Sequence, residues 1–142
     1  MKSSARNQWI GQVISVHLGA VTAEIVVGLR GGSEIVATMT VDSAKRLGLE
    51  NGKDVIVLVK ASMVILALDF EGYAISARNQ LAGEVMAIKS GQVTSDVTIR
   101  LSGGDTVAAS ITSESCQTLG LKIGQPAIAL FKAGAVMLAT RR

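Results

Sequence analysis

The chain has 142 residues, of which 49% are hydrophobic and 18% charged, with a formal net charge of +3. This balance excludes a disordered chain, and the basic residues are too scattered for a nucleic-acid-binding arm. A single cysteine, Cys116, and a single histidine, His17, exclude internal disulfides and Cys- or His-rich metal sites. The longest apolar segment, residues 55–68, is too short to span a bilayer, and no secretory signal opens the chain, so we expect a cytoplasmic location.

The first half of the chain predicts a compact set of β-strands and one helix. From Ile10 to Met39, apolar and polar residues alternate between glycine turns, a pattern that predicts three antiparallel strands. Residues 40–48 begin with capping side chains and end at a glycine, which predicts a helix of about two turns. The apolar run 55–68 predicts further strands that are covered on both faces. Five strands and one short helix predict a small barrel.

The same pattern recurs 72 residues later. The segment Ser4–Gln8, Ser-Ala-Arg-Asn-Gln, is repeated at Ser76–Gln80, and the alignment of the two halves continues without a gap to the end of the chain. The protein is therefore a tandem duplication, with a first domain predicted at residues 1–70 and a second at 71–142. A half of about 70 residues is marginal for burying a core alone, so we expect association to supply part of the stability.

The polar residues that both halves retain are rich in hydrogen-bond donors and include no carboxylate. They are Ser4, Arg6, Asn7, Thr40, Ser43 and Lys60, with counterparts at Ser76, Arg78, Asn79, Thr112, Ser115 and Lys132. A fully deprotonated anion only accepts hydrogen bonds, and a carboxylate would repel it, so this set predicts an oxyanion site. The predicted helix start adds free backbone N–H groups and a favourable dipole.

Structural roles compete with this interpretation. The threonine and serine at each helix start are also ordinary N-cap residues. The lysines can lie along a strand edge with only their ammonium groups in water. The arginines can pair with surface acids such as Glu24 or Asp96. The sequence leaves these alternatives open.

A series of short motifs occurs in the same order in both halves: Ser-Ala-Arg-Asn-Gln, Gly-x-Val, Gly-Gly, Thr-x-x-Ser, Leu-Gly-Leu and Lys-Ala. This series resembles the Mop domain of molybdate-binding proteins, over about residues 3–68 and 75–140, and the tandem arrangement resembles the di-Mop molbindins. The resemblance implies a mainly β fold of two tandem OB-like five-stranded β-barrels, each with one short α-helix. It also implies a homotrimer that binds and stores molybdate or tungstate between its subunits, without catalysis, a cofactor, nucleic acid or a membrane.

The resemblance further implies which residues contact the anion. They are Ser4, Arg6, Thr40, Ser43, Lys60 and Ala61, with counterparts Ser76, Arg78, Thr112, Ser115, Lys132 and Ala133. One subunit is expected to supply the serine and arginine of the first motif, and another the threonine, serine and lysine. Weaker candidates are Asn7, Asn79, Val21, Thr22, Val93 and Thr94, the last four for additional sites near a three-fold axis. Gly134 replaces Ser62 in the second half, which predicts unequal sites.

Other classes of function fit the sequence less well. The main alternative is a molybdate-sensing or regulatory module that acts through a separate partner protein, because Mop halves also occur in transcription factors. Binding of single-stranded nucleic acid requires stacking aromatic residues, and none of the four aromatics is repeated in register. An enzyme is the least favoured class, since no acid–base pair or activated nucleophile recurs.

Overall fold

The computed structural model describes all 142 residues and is mainly β, as predicted. The first half contains β1 (Asn7–Leu18), β2 (Thr22–Leu29), β3 (Glu34–Thr40), α1 (Val41–Arg46), β4 (Asp54–Val59), a first 3-10 turn (Ala61–Met63) and β5 (Ile65–Ala67). The second half contains β6 (Asn79–Ser90), β7 (Thr94–Leu101), β8 (Thr106–Thr112), α2 (Ser113–Leu119), β9 (Pro126–Phe131), a second 3-10 turn (Ala133–Ala135) and β10 (Met137–Ala139). Neither helix is long and apolar enough to cross a membrane.

The strands form where apolar side chains recur every second residue. In β2, Ala23, Ile25 and Val27 are fully buried, while the residues between them are partly exposed. The first strand of each half is long because it serves two neighbours: β1 pairs with β4 along its beginning and with β2 along its end. The register shifts between Val13 and Ser15, and such a bulge bends a strand so that it can serve both.

The two halves exchange their last strands. The strand order is β10-β4-β1-β2-β3 in one sheet and β5-β9-β6-β7-β8 in the other. Each sheet has the five strands that the sequence predicts, but four come from one half and the edge strand comes from the other. The predicted boundary between residues 70 and 71 stays a prediction, and each sheet contains strands from both sides of it.

A continuous apolar core joins the two sheets. It contains 28 buried residues drawn from both halves. Trp9 of β1 stacks on Phe131 of β9 with ring centroids 6.2 Å apart, and its indole N–H donates to the carbonyl oxygen of Thr106 at 2.8 Å. Trp9 therefore packs across the boundary between the two halves, which we call the seam.

Candidate functional site

The asparagine of each Ser-Ala-Arg-Asn segment ties that segment to the other half. The Asn7 side chain donates to the carbonyl oxygen of Ala108 at 2.8 Å and accepts from its N–H at 2.7 Å. Asn79 makes the same pair of bonds with Val36, both at 2.8 Å. Both asparagines are almost fully buried and satisfy the open edges of β8 and β3. These two weaker candidates therefore hold the halves together and leave almost no surface exposed to an anion.

Each arginine of the segment lies against a carboxylate of the opposite half. Arg6 contacts Asp96 at 2.9 Å, through one nitrogen. Arg78 contacts Glu24 through two nitrogens, at 2.8 and 3.2 Å. The structural alternative for the arginines, pairing with these two acids, is thus what the folded chain shows. The expectation of a site without carboxylates is wrong for this region of the chain, because β2 and β7 each place one beside an arginine.

The bidentate pair shifts the ionisation of both its members. The hydrogen bond from Arg78 lowers the pKa of Glu24, and the bond to Glu24 raises the pKa of Arg78. Both shifts favour the charged forms, so this pair stays ionised at neutral pH. A carboxylate and a guanidinium in this geometry match each other in shape as well as charge.

The lysines lie beside the arginines of their own half. Asn7 pairs with Val59, so Lys60, the next residue, lies at the strand end opposite Arg6. The first 3-10 turn begins directly after Lys60 and contacts β8 of the other half. The second half repeats this arrangement, since Asn79 pairs with Phe131 and the second 3-10 turn contacts β3. Lys60 therefore lies beside Arg6 within this chain, and its expected grouping with hydroxyls at a site between subunits stays a prediction.

The retained hydroxyls cap the helices, as their structural interpretation predicts. The Thr40 hydroxyl accepts from the Ser43 N–H at 3.1 Å and donates to the Ser43 hydroxyl at 3.0 Å. Thr112 and Ser115 repeat the arrangement at 3.1 and 2.7 Å. In each pair the serine keeps its own hydroxyl hydrogen, so capping leaves one O–H donor for a ligand.

The Val-Thr turns adjoin these caps. The carbonyl oxygen of Val21 accepts from the N–H of Val41, the first residue of α1, at 2.9 Å, and Thr22 pairs with Thr40. Val93 and Thr94 stand in the same relation to α2 and Thr112. Both valine side chains are highly exposed. The structure therefore brings the four weaker candidates of the turns next to the main hydroxyl candidates.

The candidates form two clusters, each drawn from both halves. The first cluster consists of Arg6, Lys60, Asp96, Thr112 and Ser115. The second consists of Arg78, Lys132, Glu24, Thr40 and Ser43. In the first cluster, Asp96 pairs with Ser110 across the sheet. Thr112 lies two residues further along β8, about 7 Å from Ser110. Ser4 and Ser76 are exposed in the segments before the arginines, and Ala61 and Ala133 are buried behind the lysines.

Two members of these clusters were not predicted as site residues. Glu24 and Asp96 occupy the same position in the two repeats, so their acidic character is retained just as the donors are. That repetition could have identified the two acids from the sequence. They were missed because an anion site was expected to contain hydrogen-bond donors only. Each cluster contains two cationic side chains, an arginine and a lysine, together with threonine and serine hydroxyls and one carboxylate. It holds no nucleophile beside a base.

Comparison with known proteins identifies both repeats. The model of the TOBE domain family matches residues 3–66 and 75–138. The molybdenum transport protein ModE of Herbaspirillum seropedicae is 45% identical over all of this chain, which covers 53% of ModE. The molybdenum-pterin-binding protein MopA of Rhodobacter capsulatus is 42% identical over 98% of this chain and 52% of MopA. The chain thus spans about half the length of these curated relatives.

A solved structure matches the whole fold. The cytoplasmic molybdate-binding protein ModG, with molybdate bound, superimposes with a TM-score of 0.96 and 43% sequence identity. The match covers 99% of this chain and 100% of the ModG chain. At this identity and coverage the likeness extends through both repeats, including the segments that contain the two clusters.

Proposed function

The chain belongs to the TOBE domain family, with two domains in tandem, and from this premise we propose that it binds molybdate without chemical turnover. The observation that carries the proposal is its likeness, over the full length of both chains, to ModG with molybdate bound. Tungstate, a tetrahedral oxyanion of equal charge, is the proposed second ligand. The proposed role is storage and homeostasis of the anion in the cytoplasm, the compartment given for ModG.

The donors of the two clusters support the proposal. An oxyanion takes hydrogen bonds from guanidinium, ammonium and hydroxyl groups, and each cluster contains all three. We assign the contacts to the arginine, lysine, threonine and serine of each cluster, with Ser4 and Ser76 beside them and the backbone at Ala61 and Ala133. Gly134 stands where the first half has Ser62, so the segment after the lysine offers a hydroxyl in the first half only.

We further propose that the protein assembles as a homotrimer with anions bound between subunits. Large apolar side chains support association, because soluble monomers rarely expose many of them. Those more than half exposed include Val21, Val93, Ile65, Met137 and Ile123. An anion that bridges subunits stabilises the assembly by mass action, so loading and assembly should be linked.

Nucleic acid is not part of the proposal. Base stacking requires accessible aromatic rings. Trp9 and Phe131 are buried and stack on each other, and of the remaining two aromatics only Tyr73 is exposed.

Calorimetric titration tests the function directly. We expect molybdate and tungstate to bind tightly, sulfate and phosphate weakly, and light scattering to give the mass of a trimer. The double variant Arg6→Ala/Arg78→Ala should lose more than about tenfold in molybdate affinity, because each arginine supplies charge-assisted hydrogen bonds. The matched control Arg30→Ala/Arg100→Ala removes two exposed arginines outside the clusters. Equal affinity in the two double variants would remove Arg6 and Arg78 from the site.

A second candidate function is sensing of molybdate on behalf of a separate partner protein. The observation in its favour is that an equivalent unit makes up about half of ModE. A sensor must differ in conformation between its free and loaded states, whereas a store need not. Hydrogen exchange with and without molybdate separates the two: protection confined to the clusters supports storage, and changes on distant surfaces support sensing.

A further inference from the structure

Glu24 and Asp96 occupy the donor atoms that an oxyanion needs. Arg78 presents two nitrogens to the two oxygens of Glu24, at 2.8 and 3.2 Å. Two oxygens of a tetrahedral anion would approach the same edge of the guanidinium. Arg6 has only one such contact, to Asp96 at 2.9 Å. The carboxylates are therefore bound in the manner of the ligand proposed for this site, and more completely at Arg78.

The surroundings of the two carboxylates also differ. On the sheet that carries Glu24, the residue directly across the strand pair is His17, and for Asp96 it is Lys89. Lys89 lies on the strand next to Asp96, but the ion pair of Asp96 is with Arg6. Glu24 has its two short contacts with Arg78 alone.

We propose that Glu24 and Asp96 are internal competitors that set the affinity and selectivity of the two clusters for oxyanions; this inference rests on the proposed function. An entering dianion must displace the carboxylate from the arginine and also bear the repulsion of its negative charge. Ligands with enough charge and size to satisfy the arginine, the lysine and the hydroxyls together meet this requirement. Weaker acceptors leave the internal pair intact.

The competition makes the two clusters unequal in a defined direction. The bidentate contact is the harder one to displace, so the second cluster, with Arg78 and Glu24, is the weaker site. Both ion pairs, Arg6–Asp96 and Arg78–Glu24, also cross the seam. When an anion binds, the arginine gives up its contact with the other half and contacts the anion instead. The occupied protein is then held together through its ligand at these two points.

Isosteric substitution tests the proposal on the full-length chain. Glu24→Gln keeps the shape of the side chain but removes its charge, and we expect molybdate affinity at one class of site to rise about three- to tenfold, from loss of the ion pair and the repulsion. Asp96→Asn should raise the affinity of the other class by a smaller factor. Glu34→Gln, at an exposed acid outside both clusters, is the matched control and should change nothing.

The outcomes separate this inference from the proposed function. If wild type binds molybdate and both Glu24→Gln and Asp96→Asn bind it equally or less tightly, the competitor role is overturned and the proposed molybdate binding stands. Binding that appears only in the variants supports the competitor role. Absence of binding in wild type and variants alike overturns both. Thermal unfolding of each variant confirms that it is folded before titration.

Discussion

At the residue scale, Asn7 and Asn79 show why an amide is retained in both repeats. A strand edge presents both an N–H and a carbonyl oxygen, and a single asparagine side chain can satisfy the two together. Asn7 does so at Ala108 and Asn79 at Val36. No other side chain of this size offers a donor and an acceptor side by side, so the retention follows from backbone pairing across the seam.

Removal of this amide should be costly. We expect Asn79→Ala to lower the free energy of unfolding by about 1–3 kcal/mol, because it leaves the Val36 N–H and carbonyl groups unpaired at a partly buried edge. Urea denaturation measures the change. Gln12→Ala, an exposed amide in β1, is the control and should stay within about 0.5 kcal/mol of wild type. Equal effects of the two variants would contradict the role of Asn79.

The Glu24–Arg78 pair should make stability depend on pH in acid. Since the folded-state pKa of Glu24 lies below its ordinary value of 4.5, the pair stabilises the fold above that value. The contribution is lost as the pH falls through the folded-state pKa. We expect the urea midpoint of wild type to exceed that of Glu24→Gln slightly at pH 7, with the gap closing as the pH falls through the lowered pKa of Glu24. A gap that does not narrow as the pH is lowered would assign the difference to another cause.

Much of the candidate site was predictable at this scale, but its contacts were not. Repetition picks out the arginines, lysines and hydroxyls, and cap chemistry correctly predicts the Thr40–Ser43 bond. The partners of Arg6 and Arg78 depend on which strands meet across the seam. A sequence pattern within one half does not show which strands of the other half it will contact. The sequence could therefore only name Glu24 and Asp96 as possible partners.

At the element scale, the two Gly-Gly hairpins are retained because they touch. A methyl group on Gly103 would overlap the carbonyl oxygen of Gly31, and one on Gly31 would lie 2.9 Å from the carbonyl oxygen of Gly103. The Gly31 N–H also donates to Asp105 of the other hairpin at 3.0 Å. The sequence predicts these glycines as turn residues, and the close approach is an additional reason for them.

The strand exchange places two equivalent leucines in opposite sheets. Leu66 of β5 is buried in the sheet of the second half, and Leu138 of β10 in that of the first. We expect Leu66→Ala and Leu138→Ala each to cost about 2–4 kcal/mol of unfolding free energy. Hydrogen exchange should locate the loss of stability. In Leu138→Ala, the backbone amides of β4, which pairs with β10, should exchange faster than in wild type.

Neighbours on the same strands supply the controls. Ile65 and Met137 are mostly exposed, so Ile65→Ala and Met137→Ala should have small effects in the isolated chain. If Leu138→Ala instead loosened β9 and spared β4, the strands would not be exchanged in solution.

Local patterns predicted the elements well and their exchange not at all. Period-two burial and capping residues determine where each strand and helix forms, and these signals lie within a few residues. The two exchanged strands are chemically almost equivalent, because β5 and β10 both consist of Ile or Met followed by Leu-Ala. Either strand could therefore pair with the edge of β4 or of β9. Only the path of the chain decides between them.

At the scale of the whole molecule, the exchanged strands and the shared core make the two repeats one folding unit. The core is continuous across the seam, and the asparagine bonds, the hairpin contact and both ion pairs cross it. Neither sheet has all its strands without the other half. We therefore expect heat or urea to unfold the chain in a single transition.

An isolated repeat should associate with itself. Residues 1–70 contain β5 and an unpaired edge on β4, so two copies can exchange their last strands as the two halves do. We expect sedimentation analysis to show an assembly with an even number of copies, which loses β-sheet signal in circular dichroism as it dissociates on dilution. A stable, folded monomer would show that β5 can return to its own half.

The position of Trp9 makes the seam visible to spectroscopy. This is the one tryptophan of the chain, and its indole ring lies on Phe131 with its N–H bonded to Thr106, both in the other half. Separation of the halves would transfer the indole from an apolar contact to water and shift its fluorescence emission to longer wavelength. The natural sequence thus contains its own optical reporter, with no second tryptophan to obscure it.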